Sequence, residues 1–306
     1  MKIKDIMRDK PVEGRFMLSE SQYKTAKNGK PFITLKLSDD TGEIYMKIWE
    51  ANEEIYRQLL PGRVIELKGV AAKEFNQQLQ LETEGRQTDA FRLCREEEVD
   101  FSEFFPVAIR DRGELWEKMQ EIILTIQDKF LSGLLHEFFG DDNFVKEFLK
   151  VPAALKRHHV YIGGLLEHTY GVAALCRAAA EIYPRIDREL LLTGALLHDI
   201  GKIKTYEIAR GFTGTDEGKL IGHLVLGVQM VEEKINQLAQ KSPVPAEVKL
   251  KLLHLLISHH GIMEWGSPVE PLFLEACLLH HADNMDAQAS KYLAAMRNHD
   301  PSSGKW

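Results

Sequence analysis

The chain has 306 residues, 44% of them apolar, which is enough for two folded cores, and its formal net charge is −7. No window approaches the roughly 18 uninterrupted apolar residues of a membrane span, and "MKIKDIMRDK" lacks the apolar stretch and cleavage site of an export signal. Three scattered cysteines, Cys94, Cys176 and Cys277, exclude a disulfide framework and a thiolate metal site, so a cytoplasmic location is expected.

Residues 12–95 alternate apolar and polar side chains in the manner of half-buried strands: "GRFMLSESQYKTA", "PFITLKLSDD", "GEIYMKIWE", "RVIELKGVAAKEF" and "QLQLETEGRQ". Turn signals separate them at "NGKP", "DDTG", "LPG" and "NQQ", and one short helical insert is expected at "NEEIYRQLL". Five strands with one helix suit a small closed barrel of the OB type, which predicts a barrel domain over residues 1–95. Phe32, Tyr45, Trp49 and Phe75, with Lys36 and Lys47, are its candidate nucleic-acid contacts, aromatics stacking bases while lysines meet phosphates. Lys30, in the turn before the second strand, and Lys73 are further candidate phosphate contacts. Alternating aromatics also fill cores. The register decides for one pair: Tyr45 and Lys47 share a sheet face, opposite Met46 and Ile48, which predicts that both are exposed.

An acidic connector follows over residues 96–114. Residues 96–155 hold 14 acidic against 6 basic side chains, while the segments on either side are close to neutral, so net charge does not exclude a polyanionic partner. From residue 115 to 306 the period turns helical. "ELWEKMQEIILTIQDKFLSGLLHEFF" sets Leu115, Met119, Ile122, Ile126, Phe130 and Leu134 on one stripe at steps of three and four. Apolar helices continue to about Met296, with turn-rich interruptions at "EIARGFTGTDEGK" and "HHGIMEWGSPVEP". Exposed apolar helix faces would allow a homo-oligomer.

Within "LLHDIGKIK" an apolar helix delivers His198 and Asp199 side by side, and burying both without partners is costly. Other leucine-rich helices end or meet at His168 ("LLEHT"), His223 ("LIGHLVLG"), His259 and His260 ("LISHHG") and Asp283 ("LLHHADNMDA"). Such nitrogen and oxygen donors can hold a divalent cation without sulfur. The set allows one ion on His168, His198, Asp199 and Asp283, and a second that shares Asp199 and takes His223, His259 and, as a further candidate, His260. Asp199 is the residue able to bridge, because a carboxylate has two oxygens and a neutral imidazole one lone pair. Capping or core hydrogen bonding is the alternative reading of each residue.

The ordered series His, His-Asp, His, His, Asp, with Gly201 and Lys202 after the pair, resembles the HD-domain phosphohydrolases, whose fold is a helical bundle around a divalent metal site. Together with the barrel, "RHHVYIGGLLEHT", "LLHDIGK", "SHHGIMEWGSPVEP" and "EACLLHHADNMDA" resemble the YhaM-type 3′→5′ exoribonucleases, which join an OB-fold to an HD domain. "HHGIMEWGSP" lacks the Gly-Tyr-Pro element of the cyclic-di-GMP subgroup, so that substrate is not expected. The resemblance implies an HD core over about residues 156–298, one or two divalent ions, with Mn first and Fe, Co or Mg as alternatives, and single-stranded RNA or DNA as partner. The implied reaction is attack of metal-activated water on the phosphodiester nearest the 3′ end. Lys202 is then placed to contact a phosphate oxygen, and could otherwise be an ordinary helix-end lysine. His159 and His260 are candidate proton-transfer groups, His260 alternatively a ligand. A hydrolase of small nucleotides with a regulatory barrel and a non-catalytic RNA-binding adaptor are the rival readings.

Overall fold

The computed structural model describes residues 1–75, 78–86, 89–105, 110–154, 161–207 and 213–297. The chain divides into two compact units, the first from Met1 to Val107 and the second comprising Ala108–Glu207 and Thr213–Trp306.

The first unit is a closed barrel of β1 (Pro11–Thr25), β2 (Pro31–Asp39), β3 (Gly42–Trp49), β4 (Val64–Phe75) and β5 (Gln78–Glu84). The strand order is β1-β2-β3-β5-β4, and a β1–β4 pairing closes it. The long β1 achieves closure by serving two neighbours. Its first half pairs with β4, its second half with β2, and an irregularity between Leu18 and Glu20 lies where the partner changes. β3 and β5 run parallel, with Tyr45 opposite Gln80 and Lys47 opposite Glu82. Every second side chain points inward, and Phe16, Leu18, Ile33, Leu35, Leu37, Met46, Ile48, Ile65 and Leu81 fill the interior. The expected helix is α1 (Glu53–Gln58), started by Asn52, whose side chain accepts from the Ile55 amide. A sixth strand, β6 (Phe91–Leu93), pairs with β4 and was not expected, because three residues are too few for alternation to show. Two 3-10 turns, Glu96–Glu98 and Phe101–Phe104, occupy the acidic stretch, and Phe104 and Phe105 are buried.

The second unit is helical. Its elements are α2 (Arg112–Ile123), α3 (Lys129–Phe139), α4 (Asp142–Phe148), α5 (Gly164–Ile182), α6 (Arg188–Leu197), α7 (Lys202–Thr205), α8 (Asp216–Leu220), α9 (His223–Ala239), α10 (Ala246–Ser258) and α11 (Leu274–Arg297). A two-residue hairpin, β7 (Tyr206–Glu207) with β8 (Thr213–Gly214), interrupts them. The apolar stripe predicted from Leu115 to Leu134 is buried, yet it spans two helices rather than one. The break is chemical: the Asp128 carboxylate accepts from the Phe130 and Leu131 amides and starts α3, while Glu189 takes the amides of Gln127 and Asp128. α6 is the central helix. Leu190 to Leu197 are all buried, as expected of a helix apolar on every side. α5 and α10 pack on it, and α11 packs on both α5 and α6.

Candidate metal centre and nucleic-acid interface

α6 is too apolar to stop inside the core without polar partners for its end, and it stops at His198 and Asp199. Gly201 allows the approach that follows: a Cβ there would lie 2.0 Å from the His223 carbonyl oxygen, so only glycine lets this turn meet the start of α9. His223 is thereby brought beside Asp199. His168 comes from the second turn of α5, His259 and His260 from the end of α10, and Asp283 from the middle of α11. His168, His198, Asp199 and His259 are almost wholly buried, whereas the His223 and Asp283 side chains retain 18% and 16% exposure. The cluster is therefore deep on one side and open on the other.

Two sets of atoms converge. In the first, His168 Nε2 lies 3.0 Å from Asp283 Oδ1, 3.3 Å from Asp199 Oδ2 and 3.3 Å from His198 Nε2. In the second, Asp199 Oδ1 lies 3.5 Å from His223 Nε2 and 3.7 Å from His259 Nε2, and His223 Nε2 lies 3.2 Å from His260 Nε2. The remaining ring nitrogens are fixed from behind. Nδ1–H of His168 donates to Asp286 Oδ2 at 2.7 Å, and those of His198 and His259 donate to the carbonyls of Ala195 and Leu256, each at 2.8 Å. His260 Nδ1–H donates to the Trp265 carbonyl at 2.7 Å. Acceptors that cannot donate fix each proton on Nδ1, which turns every Nε2 toward the cluster.

Burial opposes charge on His168, but Asp199, Asp283 and Asp286 outweigh it and hold the imidazole well above the ordinary histidine range. Burial would likewise raise the Asp199 carboxyl, yet the Lys202 ammonium and the neighbouring imidazoles hold it well below the carboxylate range. Asp283 is depressed against its own burial by His168. Burial takes His259 well down and His223 down to about 3, so both keep a free lone pair at neutral pH. Lys202 is buried, its Nζ 2.5 Å from Asp199 Oδ2, and Asp199 raises its pKa despite desolvation.

This arrangement fits a divalent cation. One proton on His168 Nε2 faces three acceptors and can serve only one well, whereas His168, His198 and Asp283, with Asp199 beside them, would hold a divalent cation. Asp199 Oδ1 is a buried acceptor without a hydrogen-bond partner among the described residues. Such an atom ordinarily costs about 1–3 kcal/mol. The donor set is imidazole and carboxylate, suited to Mn, Fe, Co or Zn rather than to soft thiolate-seeking ions.

The structure thus brings together His168, His198, Asp199, His223, His259, His260 and Asp283, and places Lys202 against Asp199. His159 lies outside the described residues. Asp286 escaped sequence reasoning although it stands three residues after Asp283, one helical turn along the same face. That spacing was its available signal.

On the barrel, β2 and β3 present Phe32, Tyr45 and Lys47 outward, and Phe75 completes the wall of a groove of about 380 Å³. Tyr45 and Phe75 are exposed, and the Lys47 ammonium lies 4.8 Å from the Phe75 ring centre and 5.4 Å from that of Trp49. Trp49 packs on Phe32 with ring centres 5.0 Å apart. Lys36 stands apart: Glu43 holds it at 2.7 Å with Glu20 nearby, and these carboxylates compete with any phosphate. Lys30 and Lys73 are similarly paired, with Glu50 and Glu82.

Residues 165–288 match the HD domain family, and residues 12–85 match the OB-fold nucleic acid binding domain family. Two solved structures align with this chain at a TM-score of 0.24 each. A domain of replication protein A from Methanococcus maripaludis is 21% identical, over 31% of this chain and 94% of that one. The replication factor A related protein of Methanobacterium thermoautotrophicum is 23% identical, over 31% and 89%. The 3′-5′ exoribonuclease YhaM of Oceanobacillus iheyensis is 36% identical over 290 residues, 94% of this chain and 88% of that protein. A likeness of that extent, spanning both the barrel and the helical unit whose histidines and aspartates converge, means that the chain belongs to the YhaM 3′-5′ exoribonuclease family.

Proposed function

We propose that this protein is a metal-dependent phosphodiesterase that shortens single-stranded RNA, and DNA as a second substrate, from the 3′ end. On this reading residues 1–95 hold the strand, 96–114 connect, and 115–306 hydrolyse. The observation that carries it is the convergence of seven histidine and aspartate side chains from α5, α6, α9, α10 and α11, with one buried carboxylate oxygen left unsatisfied between two imidazoles. His168, His198, Asp199 and Asp283 would hold one cation, and Asp199, His223, His259 and His260 a second. Divalent ions there supply an activated water and stabilise charge on the phosphate oxygens.

The chain's own residues do the rest. Asp286 and the carbonyls behind the rings aim the imidazoles. Lys202 balances Asp199 and lines the cleft beyond it, where it meets a phosphate oxygen as a point charge. Tyr45, Lys47 and Phe75 bind unpaired bases and backbone on the barrel. Tethering that groove to the cluster raises the local concentration of strand ends, which a hydrolase of free nucleotides would not need.

Manganese is the proposed ion. The three cysteines are free thiols, which supports a reducing, cytoplasmic setting, and among the described residues no helix is long and apolar enough to cross a membrane. Exposed Met285, Tyr292, Leu293 and Met296 on α11 support self-association. Incubation of 5′-labelled RNA with and without Mn²⁺ tests the reading. A ladder that shrinks from the 3′ end only with metal, and is lost in Asp199→Ala with strand binding retained, supports it. Turnover of free nucleotides alone, or full activity in Asp199→Ala, refutes it.

A further inference from the structure

Two clefts meet at the His/Asp cluster and share a wall made by His260 and Trp265. The larger, about 480 Å³, is polar, lined by Lys202, Asn284, Gln288 and Lys291, with the carboxylates of Glu264 and Asp283 also on its wall. The smaller, about 310 Å³, is apolar, lined by Ile221, Leu224, Val225 and Pro268, with His223 also on its wall.

Trp265 is 53% exposed, yet it is not on a loose loop. Its carbonyl receives Nδ1–H of His260, and Gly266 after it turns the chain at φ +90°, a conformation that other side chains rarely adopt. Ser267, buried, then fastens the turn, its hydroxyl 2.9 Å from the Ile257 carbonyl and 2.7 Å from that of Val269. An indole carried on a backbone held this firmly, half exposed beside the His/Asp cluster, can serve as a platform. Exposed Ile221, Val225 and Met263 extend the apolar surface around it. In the polar cleft, Lys291 donates to Gln288 and makes no ion pair among the described residues, so its charge is available.

The two clefts divide their chemistry as a nucleotide does, with an apolar ring on one side and an anionic backbone on the other. We infer that Trp265 stacks the base of the 3′-terminal nucleotide in the apolar cleft, while Lys291 meets the backbone phosphate of the nucleotide before it. The inference rests on the exonuclease reading and supplies its substrate subsites. Since Ile221, Leu224, Val225 and Pro268 offer no side-chain hydrogen bond to a base edge, and the histidines on the wall, His223 and His260, face each other at 3.2 Å, the site accepts all four bases. It favours purines for their larger stacking face.

The test pairs two RNA strands, one with an ordinary 3′-terminal nucleotide and one whose terminal sugar lacks its base, with wild type, Trp265→Ala, Trp265→Phe and Lys291→Ala, all with Mn²⁺. Wild type should prefer the base-bearing end by about tenfold in kcat/KM, the value of one stacked base. Trp265→Ala should bring that ratio close to one, and Trp265→Phe should keep most of it. Lys291→Ala should weaken both strands alike and flatten the salt dependence. An unchanged preference in Trp265→Ala, including equal slowing of both strands by that substitution, overturns the base assignment, and wild-type rates and salt dependence in Lys291→Ala overturn the phosphate assignment. If wild type cleaves neither strand, the exonuclease reading falls and 5′-AMP binding decides the subsite. Quenching by 5′-AMP in wild type that is missing in Trp265→Phe retains it, and equal quenching in both overturns it.

Discussion

Asp286→Ala tests how the cluster is held, because Asp286 stands behind a proposed ligand. His168 is fully buried, and its Nδ1–H donates to Asp286 Oδ2 at 2.7 Å, which fixes the ring with Nε2 toward Asp199 and Asp283. Removing the carboxylate lowers the basicity of Nε2, frees the ring to rotate and weakens the satisfaction of a buried donor, which costs about 1–3 kcal/mol when complete. Loss of such a backing partner typically reduces metal affinity about 10–100-fold, or about 1.4–2.7 kcal/mol. Asp286→Asn keeps an acceptor oxygen and should fall at the mild end of that range. Gly171→Ala offers an independent route, since a Cβ on Gly171 would lie 2.1 Å from Asp286 Oδ1 and must push the carboxylate aside. Mn²⁺ titration followed by the signal of free Mn²⁺, with a melting curve to confirm folding, measures all three. Wild-type affinity in folded Asp286→Ala would refute the claim that His168 is an oriented ligand.

Lys202→Met should destabilise the metal-free protein by about 3–5 kcal/mol, because it strips a buried carboxylate of its cation; Mn²⁺ should restore much of the loss. Equal melting shifts with and without metal would count against Asp199 as a shared ligand. Metal binding should also release protons. His168 is held well above its ordinary pKa, so at neutral pH it carries the proton that a cation must displace, whereas His223, shifted to about 3, and His259 carry none. Affinity should therefore rise as pH rises, up to about tenfold per unit, until pH passes the raised His168 value. Calorimetry in buffers of different ionisation enthalpy reads the release, and a flat profile between about pH 6 and 8 would contradict it. On the barrel, Phe75→Ala should weaken binding of a labelled oligonucleotide by about 1–3 kcal/mol, and Lys47→Ala should reduce the salt slope. Lys36→Ala should do little, since Glu43 and Glu20 already hold that lysine, and anisotropy titrations would distinguish the three.

Short-range patterns were legible where burial alternates with the backbone period. Strands β1 to β5 and the outward side of Tyr45 and Lys47 follow from period-two alternation, as the apolar stripe from Leu115 to Leu134 follows from period 3.6, although only Tyr45 is exposed and Lys47, packed against the Phe75 and Trp49 rings, is half-buried. What broke the stripe into α2 and α3 was a capping aspartate supported by Glu189, more than 60 residues away, a contact that no local window contains. β6 was hidden because a three-residue strand is defined by its partner rather than by its own pattern.

The amino-acid sequence by itself determined which side chains are available to the site and that the helices bearing them are too apolar to remain apart. Burial drives those helices together, and the polar groups at their ends must then face one another. Only the tertiary structure decided the grouping: His168 with Asp286 behind it, Asp199 with one oxygen toward His223 and His259 and the other on Lys202, and Trp265 between two clefts. These relations depend on packing between helices up to 118 residues apart, as from His168 to Asp286. A difference of one ångström there separates a ligand from a bystander, and local periodicity does not encode it.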